Sequence, residues 1–406
     1  MEKKKLTSLE KQWILYDVGN SAFILLVSTI LPIYFNSLCD AAGIAEVDYL
    51  AYWGYAASVC TLIVALSGPV LGTIADNQGY KKKIFAVSML IGVLGLASLW
   101  IPTSWKVFLV LFIVAKVGYS SSLIFYDSML SDITEPQRMD MVSSHGYAWG
   151  YIGSCIPFLI SLVLVLFYQQ LSISMMMAMT LAFLINALWW LACSLPLLKN
   201  YRQKYYVEKK ETHVVTSSFR RLAQSFGKLR QQKKILLFLI AFFFYIDGVY
   251  TIIDMATAYG SALGLNTEGL LIALLVTQIV AFPSALVFSR LSKQYNNGTL
   301  IKICIVAYTL IALFAIQLDQ QWEFWVLAVC VGMFQGGIQA LSRSYFAQII
   351  PPENAGEFFG LFDICGKGAS FLGTALVSLI AQLTGNANGA IAVLAVMVLI
   401  GLFFFH

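Results

Sequence analysis

Eight charged side chains sit in stretches that are otherwise almost wholly apolar: Asp17, Lys116, Asp127, Asp247, Asp254, Arg343, Asp363 and Lys367. An ionisable group in hydrocarbon is costly, so each should face a protein interior or a water-filled cavity. A helix turns about 100° per residue, and positions three, four, seven or eleven apart share a face. Asp247, Tyr250, Thr251 and Asp254 then form one polar stripe, and Lys116, Tyr119, Ser120 and Asp127 a second. Gln335, Gln339 and Arg343 form a third, and Asp17 lies three residues before Asn20. The rise from Trp105 to Lys116 is roughly 16 Å, half of a ~30 Å apolar slab, which puts Lys116 near the midplane.

Both signs of charge suit a zwitterion. Acids such as Asp247 and Asp254 match an ammonium group, and Lys116 and Arg343 match a carboxylate. Asp17, Asp247 and Asp254 are also groups whose charge could change if protons drive the cycle. Each has a plainer reading. Lys116 and an acid of the Asp247 stripe could be a permanent ion pair. Asp363 and Lys367, four apart, could pair with each other. Asp17 could cap or gate, Gln335 and Gln339 could bond helix to helix, and His145 could be a packing residue.

The elements that position these groups follow from composition. The 406 residues are 59% hydrophobic and only 12% charged, with a mean hydropathy of +0.77. Soluble domains carry roughly a quarter charged residues. Apolar runs near 12–38, 49–75, 84–102, 105–130, 143–168, 172–196, 234–262, 267–289, 299–318, 322–347, 357–384 and 388–406 each approach the ~20 residues that cross a bilayer. The basic start MEKKKLTSLEKQ leads into the first run without a small-residue cleavage site, so that run is expected to be retained. The expected fold is an all-α polytopic membrane protein of twelve transmembrane helices in two pseudo-symmetric six-helix bundles.

The one long connection sets the expected division: a bundle over 1–196, a cytoplasmic linker over 197–233 and a second bundle over 234–406. Within the linker, Phe219, Leu222, Phe226 and Leu229 share a helical face flanked by Arg220, Arg221, Lys228 and Arg230. That pattern suits a helix lying on the membrane surface; a solvated basic linker is the alternative. Tyr16-Asp17-Val18-Gly19 in the first run and Tyr245-Ile246-Asp247-Gly248 in the seventh hint at an internal repeat.

The net charge of +5 is a matter of topology rather than of nucleic-acid binding. Lys3 to Lys5, Lys11, Lys81 to Lys83, Arg138, the basic residues from Lys199 to Lys234, Arg290, Lys293 and Lys302 all fall on one side. The loops between hold Lys106 and acids such as Asp40, Glu46, Asp48, Asp319 and Glu323. The positive-inside bias puts both termini in the cytoplasm, and the short loops suggest a prokaryotic plasma membrane. The seven cysteines show no CxxC pair, so neither a disulfide frame nor a metal site is expected. HExxH, GxSxG and Walker loops are absent, which argues against an enzyme, a cofactor and direct ATP drive. The sequon Asn297-Gly298-Thr299 falls on the cytoplasmic side.

The segment from Gly72 to Lys82, GTIADNQGYKK, resembles the GxxxDxxGxKK-type signature of the major facilitator superfamily at the position that superfamily uses. The resemblance implies that Gly72, Asp76, Gly79, Lys81 and Lys82 brace a cytoplasmic gate. It also implies that spans one, four, seven and ten line a central cavity. Two departures stand out. Asn77 replaces the usual Arg or Lys, and the matching loop of the second half, Ser289 to Lys293, lacks both the glycine and the acid. WILYDVGNSAF at 13–23, HGYAWGYIGS at 145–154, GGIQALSRSYFAQIIPPE at 336–353 and EFFGLFDICGKGASFLG at 357–373 resemble the branch that includes the fungal vacuolar amino-acid effluxer of autophagy. What this implies is amino-acid export; with the charges of both signs, the expected function is a secondary transporter of a small polar or zwitterionic solute by alternating access, with protons as a candidate coupling ion and a monomer as the expected state. Export of amphipathic compounds, or lipid flipping, is the alternative kept open by the 14% aromatic content. A non-transporting membrane sensor is the alternative of another class.

Overall fold

The computed structural model describes residues 5–101, 104–207, 232–262, 267–384 and 387–405, with the side chains of a few residues near helix ends, Asp254 among them, outside that description. The proposed surface helix around Phe219 to Arg230 also lies outside it.

The first half holds α1 (Ser8–Ser28), α2 (Ile30–Ala41), α3 (Glu46–Ala75), α4 (Lys81–Ala97), α5 (Trp105–Ser128), the short α6 (Leu130–Ile133), α7 (Met139–Leu166) and α8 (Met175–Asn200). The second holds α9 (Lys233–Ala262), α10 (Thr267–Leu291), α11 (Asn297–Ala315), α12 (Gln321–Ile349), α13 (Ala355–Thr384) and α14 (Ala387–Phe404). Helices α1 and α2 make one passage, interrupted at Thr29, whose φ of −132° leaves the helical range. The chain thus forms an almost wholly helical membrane fold. Among the described residues nine helices are long and apolar enough to cross a membrane by length and composition. The shorter α4, with 17 residues, α14, and α13, which carries Glu357, Asp363 and Lys367, are consistent with the expected pattern.

Local chemistry fixes the helix starts. Thr7 and Glu10 form a reciprocal capping box at α1, Ser174 accepts from the Met177 N–H at α8, and Gln320 and Glu323 cap α12. Pro69, Pro157, Pro196 and Pro283 lie inside helices, where neighbouring helices can re-satisfy the freed carbonyls.

The starts of α1, α4, α7 and α9 and the ends of α8 and α10 share one face, which carries Lys81 to Lys83, Arg138, Arg290 and Lys293 and is called here the basic face. Helix α1 packs on α7 and α8, and α4 on α5. In the second half α9 packs on α13 and α14, and α12 on α10 and α11. The halves meet where α3 lies against α13 and where α7 lies against α10 and α12.

A buried hydrogen bond repeats between the halves. Tyr16 of α1 meets Ser122 of α5 at 2.6 Å, and Tyr245 of α9 meets Ser342 of α12 at 2.7 Å. These tyrosines begin the two short sequence echoes, so the echo corresponds to a shared side-chain contact.

Candidate transport site and gate

Arg343, only 2% exposed, is the centre of the strongest polar cluster. It sits on α12 near the basic face and reaches into the other half. Its Nη1 and Nη2 donate to Asp17 Oδ2 on α1 at 3.3 and 3.2 Å, and Nη1 donates to Asp127 Oδ1 on α5 at 3.0 Å. Nε and Nη2 donate to the hydroxyl and carbonyl of Ser143 on α7 at 2.9 and 3.0 Å. The guanidinium thereby occupies all five of its N–H donors. Its planes face aromatic rings, with the central carbon 4.6 Å from the ring centroid of Trp13 and 4.2 Å from that of Tyr147. Trp13 stacks on Tyr126 at 4.3 Å, and its indole N–H donates to the Tyr126 carbonyl. A buried cation survives only when it is both paired and fully hydrogen-bonded, and here it is also shielded by π faces. Gly146 of α7 leaves the room: a methyl there would lie 2.6 Å from Asp17 Oδ2.

Around this cluster the halves touch repeatedly on the same side of the molecule. Ser143 Oγ donates to the Ala340 carbonyl, and Tyr151 donates to Gln339 Oε1 at 2.6 Å. Asn297 and Gln348 both donate to Asp140 Oδ1, at 2.7 and 2.9 Å. The asparagine of the sequon is thus a buried contact between halves. Trp149 meets Phe282 edge to face.

The Gly72 to Lys82 loop supplies a second junction. Asp76 is fully buried beyond the end of α3, and its two carboxylate oxygens accept the Gly356 and Glu357 N–H groups at 2.7 and 2.9 Å. It thereby occupies the positive N-terminal end of α13. Burial pushes its carboxyl up to about 7, with Lys81 and the two N–H bonds pulling the other way. A methyl on Gly72 would overlap the Gly356 carbonyl, so only this glycine allows the approach. Gly79 has φ of +79°, the left-handed turn that glycine tolerates, and its N–H donates to Gln203 Oε1.

Lys81 and Lys82 work within the first half. Lys81 is buried and donates to Asp132 Oδ2 at 3.1 Å, while the half-buried Lys82 reaches the Lys199 carbonyl. Asp132 also accepts from Tyr201 and from the N–H groups of Lys204 and Tyr205. The Val207 N–H donates to the Asp76 carbonyl, beside an isolated bridge with Asn77. The chain just after α8 is therefore strapped across the loop that holds α13. Glu10 adds a peripheral brace through Arg138 and Thr134.

The remaining residues singled out from sequence fall into separate places. Asn20 donates to Asp17 Oδ1 and to the Tyr16 carbonyl. Tyr119 is buried and stacks on Phe23 against Trp190, and Ser120 is buried beside it. Lys116 is half-buried with its ammonium 5.7 Å from the Phe112 ring centroid. The pair considered between Lys116 and an acid of α9 is not made through Asp247, whose partners are Thr251 Oγ1 at 3.4 Å and the Gly373 N–H at 3.1 Å. Tyr250, half-buried, lies against Gly366 of α13. Asp363 and Lys367 pair with each other along one face of α13. Gln335 is buried on α12.

Sequence reasoning missed Trp13, Tyr126, Tyr147 and Ser143. The signal was present in the spacing: Trp13 and Asp17 are four apart, as are Ser143 and Tyr147, and Tyr126 adjoins Asp127.

A two-half helical fold whose polar contacts join the halves is that of a membrane transporter of the major facilitator type. Solved structures agree on the fold. The human organic anion transporter MFSD10 (TETRAN) superposes with a TM-score of 0.73 at 13% identity, covering 98% of each chain. The major facilitator transporter FucP in its outward conformation gives 0.72 at 13% identity, over 98% of this chain and 96% of that one. The chain belongs to the family described as vacuole effluxer Atg22 like, whose model matches residues 8–406. It is 42% identical to an uncharacterized MFS-type transporter, YxiO, of Bacillus subtilis (strain 168), over 98% of this chain and 94% of the relative. It is 24% identical to autophagy-related protein 22 of Coccidioides immitis (strain RS), over 87% and 72% respectively. The protein is thus an integral membrane transporter acting on a small-molecule substrate, and not an enzyme.

Proposed function

We propose that this chain carries a small zwitterionic or polar solute, an amino acid, by alternating access with proton coupling, and that the Arg343 cluster is the lock that shuts its basic, cytoplasmic face. The observation that carries the reading is a single cation of the second half held by Asp17, Asp127 and Ser143 of the first. Opening that face must break this cluster and the Asp76 junction together. The opposite face is then the accessible one, in keeping with the outward conformation named for FucP. Asp17, Asn20, Asp127 and Arg343 act as gate residues, with Gly72, Asp76 and Gly79 beside them. Lys116, Tyr250, Gln335 and Gln339 are the polar groups assigned to meet solute along the path. A bacterial plasma membrane and a monomeric carrier complete the reading, supported by the YxiO relative and by a path contained in one chain.

The test uses purified protein in proteoliposomes supplied with a labelled mixture of amino acids. Saturable flux is expected, abolished by Arg343→Ala and reduced at least tenfold by Lys116→Ala. Normal flux in both variants would show that the path and lock are assigned wrongly. Inhibition by detergent-like amphiphiles but not by unlabelled amino acids would replace the amino-acid cargo with an amphipathic one.

A further inference from the structure

Asp247 has no cation among the described residues, unlike Asp17, Asp127 and Asp363. It lies fully buried about midway along α9. Oδ1 accepts two hydrogen bonds, from Thr251 Oγ1 and from the Gly373 N–H of α13. Oδ2 is equally buried and has no hydrogen-bond partner among the described residues. The helices packed on α9 bring no charge to it among the described residues. On α13, Lys367 is bound to Asp363; on α12, Arg343 is bound to Asp17 and Asp127. On α14, Leu394 and Val398 meet the adjacent Gly248. On α9 itself the Tyr245 hydroxyl is engaged by Ser342, and the Asp254 side chain is outside the described residues.

An ionised carboxylate buried without a cation costs far more than its neutral acid, so such a group takes up a proton instead. The two oxygens divide as those of a neutral acid do: one accepts, and the other is where the proton sits. The Gly373 N–H can only donate, which disfavours a sodium ion against Oδ1. The fit is tight, because a methyl on Gly373 would overlap both Asp247 Oδ1 and Thr251 Oγ1.

We propose that Asp247 is the proton-carrying site of the transport cycle, protonated on Oδ2 while the basic face is shut and releasing that proton when α13 moves away from α9. The proposal rests on the alternating-access reading above. Helix α13 is the element that Asp76 holds at its N-terminus, so opening the basic face frees the helix that supplies the Gly373 donor. Water then reaches the acid, the Oδ2–H bond breaks, its electron pair stays on the carboxylate and the proton passes to water.

Two measurements test this. Infrared difference spectroscopy of wild-type protein in light and heavy water should show a protonated carboxylic-acid band. Asp247→Asn should remove that band, and Thr251→Val, which takes a donor from Oδ1, should move it to higher wavenumber. In proteoliposomes, stimulation of labelled amino-acid flux by a pH gradient should be lost in Asp247→Asn while exchange without a gradient persists, and replacing sodium by choline should change neither. An absent band, a band unmoved by both variants, or full gradient stimulation in Asp247→Asn would overturn the site. If wild-type protein moves no amino acid, the cargo reading fails, and the infrared result still decides the proton site. If Asp247→Asn fails to fold, the Thr251→Val shift decides it alone.

Discussion

The Arg343 cluster and the Asp247 pocket start from the same local plan and end in opposite electrostatics. Each is built beside a tyrosine on the first helix of its half, bonded to a serine on the fourth passage of that half: Tyr16 to Ser122 and Tyr245 to Ser342. After Tyr16 the acid is Asp17, which faces out of its half and takes a cation from the other. After Tyr245 the acid is Asp247, which turns toward α13 of its own half and takes only neutral donors. One position holds the halves together while charged; the other is placed to change its charge. The two acids follow their tyrosines by one and by two residues, so they face different neighbours and serve different ends.

The sharpest way to break this contrast is to remove the cation. Arg343→Ala leaves Asp17 and Asp127 buried without a partner and should cost about 3–5 kcal/mol of stability, read by unfolding in detergent. Combining it with Asp17→Asn and Asp127→Asn should recover most of that loss without recovering transport. A cost under about 1 kcal/mol for Arg343→Ala would show that the cluster holds nothing. Next in size, Gly373→Ala forces a methyl into the Asp247 pocket and should destabilise by about 1–3 kcal/mol, as overpacking does, while leaving the Arg343 ion pairs intact.

A pH titration separates the Asp76 junction from both. With the basic face shut, Asp76 is pushed up to about 7, whereas in water a carboxyl returns toward its ordinary 3.8. The shut form thus binds the proton more tightly, so acidification favours it. Below about pH 7 each unit should shift the equilibrium toward the shut form by up to about tenfold, until the exposed carboxyl also titrates. Distances between spin labels at the basic-face ends of α3 and α13 would report it, and Asp76→Asn should flatten the profile. The smallest effect tests the repeat itself. Tyr16→Phe and Tyr245→Phe should each cost about 1 kcal/mol, a buried hydrogen bond lost on either side. Strongly unequal costs in unfolding would mean that the two contacts are alike in geometry only.

Much of this was legible in the sequence. Apolar runs located the helical passages, and helix periodicity put Asp247 with Thr251. Periodicity gives the face of a helix but not what lies opposite. Arg343 and Asp17 are 326 positions apart, and Arg343 and Ser143 are 200 apart. No local pattern states such a pairing. Lys81 shows a second limit, because a lysine in a basic run reads as solvated until the buried Asp132 is seen beside it. Trp13 shows a third: an aromatic residue at the start of an apolar run resembles a membrane-interface anchor, yet it is wholly buried under a guanidinium.

That burial turns Trp13 into a built-in optical reporter. Its indole lies against a cation and a tyrosine ring, so separating the halves would replace a quenching, dry neighbourhood with water and change both the intensity and the colour of its emission. The chain has nine tryptophans, but the difference between wild-type and Trp13→Phe spectra isolates this one. The state of the gate can then be followed by light, with no label attached.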